Sequence, residues 1–250
     1  MTKLEEFYSS FLTNVFGVLN PIKKIIIKTE CQVHKYINMH ALTILKNDLF
    51  YDQYDFFRAY IKNLNCGSVW ADQDFKSSNH FYNPYKRNGL YGQKNALELA
   101  IDYHTKALRL WRDGYLEESL FYFGAALHMI QDMTVPQHVN IRLLDDHRQF
   151  ENYVKRTYDN IKAFRAYHGA YLLSSIENYM KFNARISLKV YKRYQSIPNN
   201  EERYCLITKC TLPLAERTTA GAMVLFYKQI KQRYGITVIK ASMSVKKAAN

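Results

Sequence analysis

Proline and glycine are scarce, at 5 and 9 in 250 residues. So few breakers argue against a fold of many short turns and predict long helices. Cysteine is also sparse. Cys31, Cys66, Cys205 and Cys210 form no zinc-knuckle pattern, because Cys205 and Cys210 are five apart and make no CxxC. They read as free or buried thiols. No window of about 18 apolar residues occurs, so no transmembrane segment is expected. Acidic residues are outnumbered, 22 against 35 Lys and Arg, for a net charge of +13. That excess favours anionic partners: nucleic acid, acidic lipid surfaces or phosphate-bearing substrates. A well-solvated basic surface would show the same count.

There is no internal repeat and no low-complexity linker. Much of the basic excess sits near the ends, in "NPIKKIIIK" and "VKKAAN". Residues 1–28 therefore read as a basic N-terminal extension and 234–250 as a basic C-terminal tail, around one domain at 29–233. The first 20 residues, with "KLEEF" and an interrupted apolar run, make a poor signal peptide, which leaves a cytoplasmic location open.

Between the ends the pattern is helix after helix. Residues 29–46 carry apolar side chains at helical spacing, with Thr29 as candidate N-cap. Residues 50–62 are aromatic-rich and helical. Residues 63–92 hold Gly, Asn, Ser and Pro and read as one long irregular loop, a length that usually signals function. Helices are expected again over 93–112 and 115–133, with Pro136 stopping the second. Further helices are expected over 145–165, roughly 170–195 and 214–233. The fold class is all-α, a single-domain helical bundle.

Histidine is uncommon, at 8 residues, yet three lie close together with carboxylates. "GAALHMIQDMTVPQH" contains His128, Asp132 and His138; "HRQFE" contains His147 and Glu151. Residues four apart share one helix face, so His128 and Asp132 project together, as do His147 and Glu151. Imidazole and carboxylate are zinc ligands, and paired ligands on facing helices build metal clusters in bundle cores. A lone histidine on an apolar face would more often be a packed core residue. Two pairs with a third histidine between them favour metal binding.

These stretches, with "QVHKYINMHAL", "VWADQDFKSSNHFYNP", "GYLEESLFYFGAALH" and "ERTTAGAMVLFYKQI", resemble the zinc-dependent phospholipase C family of bacteria, in the family's order over roughly residues 29–233. The resemblance implies an all-helical fold with a multi-zinc cleft and one long metal-binding loop. It implies that Asp72, His80, His128 and Asp132 hold one zinc, and His138, His147 and Glu151 a second. His34, with Asp132 bridging, would serve a third. His40, His104 and His168 match no ligand. Asp72 is the implied catalytic base. The expected cofactor is zinc, two ions with a third at the His34 site. The expected substrate is phospholipid at a membrane surface, anionic lipids included, cut to diacylglycerol and a phosphorylated head group. The family is mostly secreted.

Two positions depart from the family pattern. Its third zinc is completed by an N-terminal Trp thirteen residues before the first His; here that position is Pro21. Cys31, three residues before His34, is an alternative donor. Its best-known members cradle choline with aromatic side chains, and the matching Gln73 and Ser77 carry no ring. Two other readings stand beside the phospholipase. One is a three-zinc nuclease acting on single-stranded nucleic acid, which suits the charge but ends its second site with Asp where this chain has Glu151. The other is a non-catalytic membrane-surface protein on the same fold.

Overall fold

The computed structural model describes residues 32–73, 79–89, 95–141 and 146–234. The expectations for Thr29, Cys31, Pro21, Ser77 and both basic ends lie outside them. The described elements are α1 (Gln32–Asn47), α2 (Tyr51–Ala59), α3 (Ile61–Gln73), α4 (Ala96–Arg112) and α5 (Leu116–Asp132). They continue with α6 (Pro136–Asn140), α7 (His147–Thr157), a 3-10 turn (Lys162–Phe164), α8 (Ile176–Tyr194) and α9 (Asn200–Tyr234). No strand occurs among the described residues.

Helix α5 is the axis of the bundle. From Phe123 to Asp132 every residue is buried. A helix apolar on nearly all sides must be enclosed, and α3, α4, α8 and α9 surround this one. Phe57, Phe123, Trp111 and Phe226 fill the main core. A smaller core of Ile37, Phe150, Tyr153, Tyr204, Ile207 and Leu212 joins α7 to α1 and α9.

Besides the helix expected over 145–165, which runs only from His147 to Thr157 before the 3-10 turn, two boundaries differ from the sequence reading. Residues 63–73 are helical, not the start of a loop. Asn63, Asn65, Gly67 and Ser68 look like turn residues, but Leu64, Gly67, Ser68 and Ala71 recur at helical spacing along the packed face. Gly67 is there for close approach: a Cβ would stand 1.8 Å from Phe121 O. Gly124 does the same from the other side, with Leu64 O 2.1 Å from its would-be Cβ. The second difference is α9, which begins at Asn200 and runs through Pro213. Pro213 interrupts one backbone hydrogen bond but does not end the helix, because Tyr204, Ile207 and Leu212 before it are buried in the small core. Asn199 starts the helix by accepting from Glu202 N at 3.0 Å.

Residues 161–175 form a strap without regular helix beyond the 3-10 turn. It crosses α9, where Glu216 accepts a hydrogen bond from Ala166 N. Glu216 is fully buried. Its other oxygen lies 3.6 Å from His40 Nδ1. Burial pushes the Glu216 carboxyl up to about 8, although the Ala166 N–H, Arg165 and Arg217 oppose the rise. Burial also lowers His40.

Two predictions follow from this packing. Gly124→Ala should destabilise the fold by about 3 kcal/mol, because backbone rather than a flexible side chain blocks the new methyl. Urea unfolding measures it, and a loss under about 1 kcal/mol would mean that α3 and α5 are looser than described. The Glu216 proton is held in the folded chain up to about pH 8 and released near pH 4.3 in the unfolded chain. Its contribution is therefore full below about pH 4 and is lost as pH rises towards 8. Glu216→Gln should flatten the fall in stability between pH 5.5 and 8, and an unchanged slope would show that Glu216 titrates normally.

Candidate metal centre

The floor of the site is built where α5 ends. His128 and Asp132 occupy its last turn, four residues apart, and both are buried. The chain then turns, with Val135 N donating to Asp132 O at 2.9 Å and His138 N to Val135 O at 3.2 Å. Pro136 opens α6 rather than closing α5, which has already ended at Asp132. Its missing N–H costs nothing at a first helical position. His138 is thereby turned back towards the end of α5.

His80 arrives from the irregular segment 79–89. Tyr82 N donates to His138 O at 3.2 Å, which docks that segment on α6. His80 Nδ1 lies 2.9 Å from Asp132 Oδ2. His128 Nε2 lies 3.2 Å from the same oxygen and 3.4 Å from His80 Nδ1. A second triangle forms beside it. His147 Nε2 is 2.9 Å from Glu151 Oε1 and 3.1 Å from His138 Nε2. His138 Nε2 is 3.7 Å from Glu151 Oε1. Donors bound to one tetrahedral zinc at about 2.0–2.2 Å stand roughly 3.3 Å apart. Both triangles have edges of that size and the nitrogen-and-oxygen donor set that zinc accepts, so the residues fit the ion.

His34, from the first turn of α1, faces the other oxygen of Asp132: Nε2 to Oδ1 is 3.6 Å. The Asp132 carboxylate thus presents one oxygen to His34 and the other to His80 and His128, the arrangement a bridging ligand needs. His34 Nδ1 donates to Gln131 Oε1 at 2.8 Å, which leaves Nε2 as the lone-pair nitrogen. Gln131 is itself fixed, donating to Asn38 Oδ1 at 2.9 Å and to Thr219 Oγ1 at 3.1 Å. His138 Nδ1 donates to His80 O at 3.1 Å, which reserves Nε2 for the second triangle. The Phe81 ring stacks on His138, centroids 5.0 Å apart.

Electrostatics suit a cation. Burial alone would raise the Asp132 carboxyl, but His128, His138 and His80 hold it well below the usual range. Burial opposes Glu151 ionisation too, and His138 and His147 overcome it. Burial lowers His34 and His80, which keeps them neutral as ligands must be. His138 is raised: burial works against it, but Asp132 and Glu151 prevail. The field therefore favours positive charge between the two carboxylates.

Asp72 is placed differently from the sequence expectation. It lies in the last turn of α3, not on a loop. Its carboxylate is on the cleft wall, close enough for its charge to raise His34. It stands outside the two tight donor groups, His34/His128/Asp132 and His138/His147/Glu151. His40, His104 and His168 lie elsewhere: His104 Nε2 meets Gln229 Oε1 at 2.9 Å, and His168 is exposed beside Asp48. Cys66, Cys205 and Cys210 are free thiols.

A cleft with about 130 Å³ of open volume rises from this floor. Val33, Ile37, Val135, Phe150, Val154 and Leu212 give it an apolar side. Thr134, Thr208, Thr211 and Lys155 are polar members of its wall. Sequence spacing missed Gln131, Asn38, Lys155 and Thr208. Gln131 did leave a trace, as an amide beside Asp132 in the last turn of α5.

A family model described as zinc dependent phospholipase C matches residues 33–204. A phospholipase C of Paraclostridium bifermentans is 26% identical over 151 residues, 51% of this chain and 38% of the relative. A phospholipase C of Clostridium perfringens is 26% identical over 153 residues, 52% of this chain and again 38% of the relative. The chain therefore aligns with well under half the length of these relatives. Among solved structures, the alpha toxin of Clostridium absonum superposes with a TM-score of 0.73 at 18% identity, covering 84% of this chain and 66% of the toxin. The Clostridium perfringens alpha-toxin from an avian strain gives 0.70 at 18% identity, covering 82% and 66%. At that identity the likeness concerns the fold alone.

His138→Ala should empty the second triangle and leave the first. Protein purified without chelator is expected to carry two zinc equivalents, and the variant one, by elemental analysis. Metal content below one equivalent in the unaltered chain would overturn the assignment of both triangles.

Proposed function

Because the chain belongs to the zinc-dependent phospholipase C family, we propose that it is a phosphodiesterase that cuts phospholipids between glycerol and phosphate. The products are diacylglycerol and a phosphorylated head group. The observation that carries this reading is the pair of donor triangles on the floor of a cleft with an apolar side. A phosphodiester needs cations for its oxygens; its lipid portion needs apolar wall.

Zinc, when bound, supplies Lewis acidity for the phosphate and activates water. His80, His128 and Asp132 would hold one ion; His138, His147 and Glu151 a second. His34 and Asp132 Oδ1 would serve a third with a further donor. Asp72, on the wall above them, would accept the proton of the attacking water as the glycerol oxygen leaves phosphorus. Glu151 is the next candidate for that base. Val33, Ile37 and Val135 would exclude water from the lipid side.

The net charge also suits a nuclease on the same metal floor. The apolar side of the cleft favours lipid over the polar backbone of a nucleic acid. The complete set of histidine and carboxylate donors counts against a non-catalytic surface protein.

The test is hydrolysis of mixed micelles by the zinc-loaded chain, with single-stranded DNA as the competing substrate. Asp72→Asn keeps the shape of the side chain and removes its charge. If Asp72 is the base, the rate should fall by roughly two to four orders of magnitude while zinc content holds. Parallel loss of zinc would make Asp72 a ligand and move the base to Glu151. Full activity with zinc retained would remove Asp72 from the mechanism.

A further inference from the structure

Lys155 lies one helical turn beyond Glu151 on α7, so the two side chains share a face. It is half-buried and lines the same cleft as the metal floor. Among the described lining residues it is the only Lys or Arg; the acids there are Asp132 and Glu151 at the floor and Asp72 on the wall. The adjoining wall comes from α9, which packs on α7 through Tyr204 against Phe150 and Tyr153. One turn along α9 from Tyr204 is Thr208. It is 1% exposed, lines the cleft, and its hydroxyl has no hydrogen-bond partner. A buried hydroxyl in a ligand cleft without a protein partner is a place for a substrate oxygen.

The charge distribution indicates what kind of oxygen. At the floor the carboxylates would be taken up by bound cations, whereas Lys155 adds positive charge on the wall away from them. Phe150 is the only aromatic residue in the described lining, too little for a cage around a quaternary ammonium. An ε-ammonium is a compact three-donor charge suited to a carboxylate or phosphate oxygen.

We propose that Lys155 and Thr208 form a head-group subsite that takes a second anionic group, a carboxylate or a phosphate monoester, on the alcohol beyond the scissile phosphate. Lys155 pairs with the anion, and the Thr208 hydroxyl donates to it or to a neighbouring oxygen. The subsite rests on the phospholipase C reading and narrows it to lipids with anionic head groups.

The test uses head groups that differ by one anionic group. Zinc-loaded full-length chain is assayed on phosphatidylserine against phosphatidylethanolamine, which differ by a carboxylate. The second arm compares phosphatidylinositol 4-phosphate with phosphatidylinositol, which differ by a phosphate monoester. The anionic member of at least one pair should be favoured by about tenfold or more in kcat/KM, the worth of one hydrogen-bonded charge. Which pair responds identifies the anion. In Lys155→Met that ratio should fall to near one, and in Lys155→Glu it should invert. The ratio is internal to each variant, so a general loss of activity does not mimic the result. Calorimetry with phosphoserine and phosphoethanolamine, and with inositol phosphates differing by one phosphate, reads the subsite without turnover. Equal turnover within both pairs, or a preference that survives Lys155→Met, would overturn the subsite. If no lipid is hydrolysed but Lys155-dependent preference remains in calorimetry, the phospholipase reading falls and the subsite stands. No hydrolysis and equal binding would remove both.

Discussion

Everything in the site leans on one buried carboxylate. Asp132 sits on the last turn of a helix that is enclosed for most of its length. Its charge would be costly there without compensation. Four imidazoles approach it: His80 and His128 on one oxygen, His34 on the other, and His138 Nδ1 at 3.8 Å from Oδ2. They come from α1, the 79–89 segment, α5 and α6. A single side chain therefore fixes the relative placement of four parts of the chain. An isosteric amide at this position would keep the volume but remove the charge that organises the histidines.

The bundle supplies the positional accuracy this requires. The glycines at 67 and 124 bring the backbones of α3 and α5 into direct contact. Ser68 Oγ donates to Gly124 O at 3.0 Å, and Asn38 Nδ2 donates to Ser68 Oγ at 3.1 Å. This line of buried polar contacts continues from Asn38 to Gln131 and so to His34. Helix α7 is held separately. Arg203 Nη2 donates to Asp146 Oδ2 at 2.5 Å, and Asp146 is the left-handed residue immediately before His147. The first triangle is thus fixed by the main core, and the second through α9.

The features legible in the sequence were those with a helical period. His128 with Asp132 and His147 with Glu151 were visible because four residues on a helix make one face. Resemblance added His34, His80 and Asp72, which no local period connects. The errors share one cause. Gly67 with its asparagines reads as a loop, and the helix expected from 214 in fact begins at Asn200, because local breakers outweigh burial in a sequence read alone. Gly67 answers to Phe121 and Gly124 on another helix, which only the tertiary contact reveals. Lys155 and Thr208 were invisible for the same reason. Each looks like an ordinary helical residue until α7 and α9 are set side by side.

Gln131 bears on whether His34 belongs to the metal floor at all. A core histidine that merely fills space pairs one ring nitrogen with an acceptor and the other with a donor. His34 faces an oxygen acceptor at both. Gln131 gives both amide hydrogens away, to Asn38 and Thr219, so its oxygen is committed to His34 Nδ1. That commitment leaves Nε2 unprotonated and pointed at Asp132 Oδ1, where an unprotonated nitrogen and an ionised oxygen would repel. A bound cation reverses that repulsion. Three buried polar side chains hold the pair in this state, and a packing role explains none of them. The geometry thus leaves His34 Nε2 and Asp132 Oδ1 as a pair that a cation would draw together.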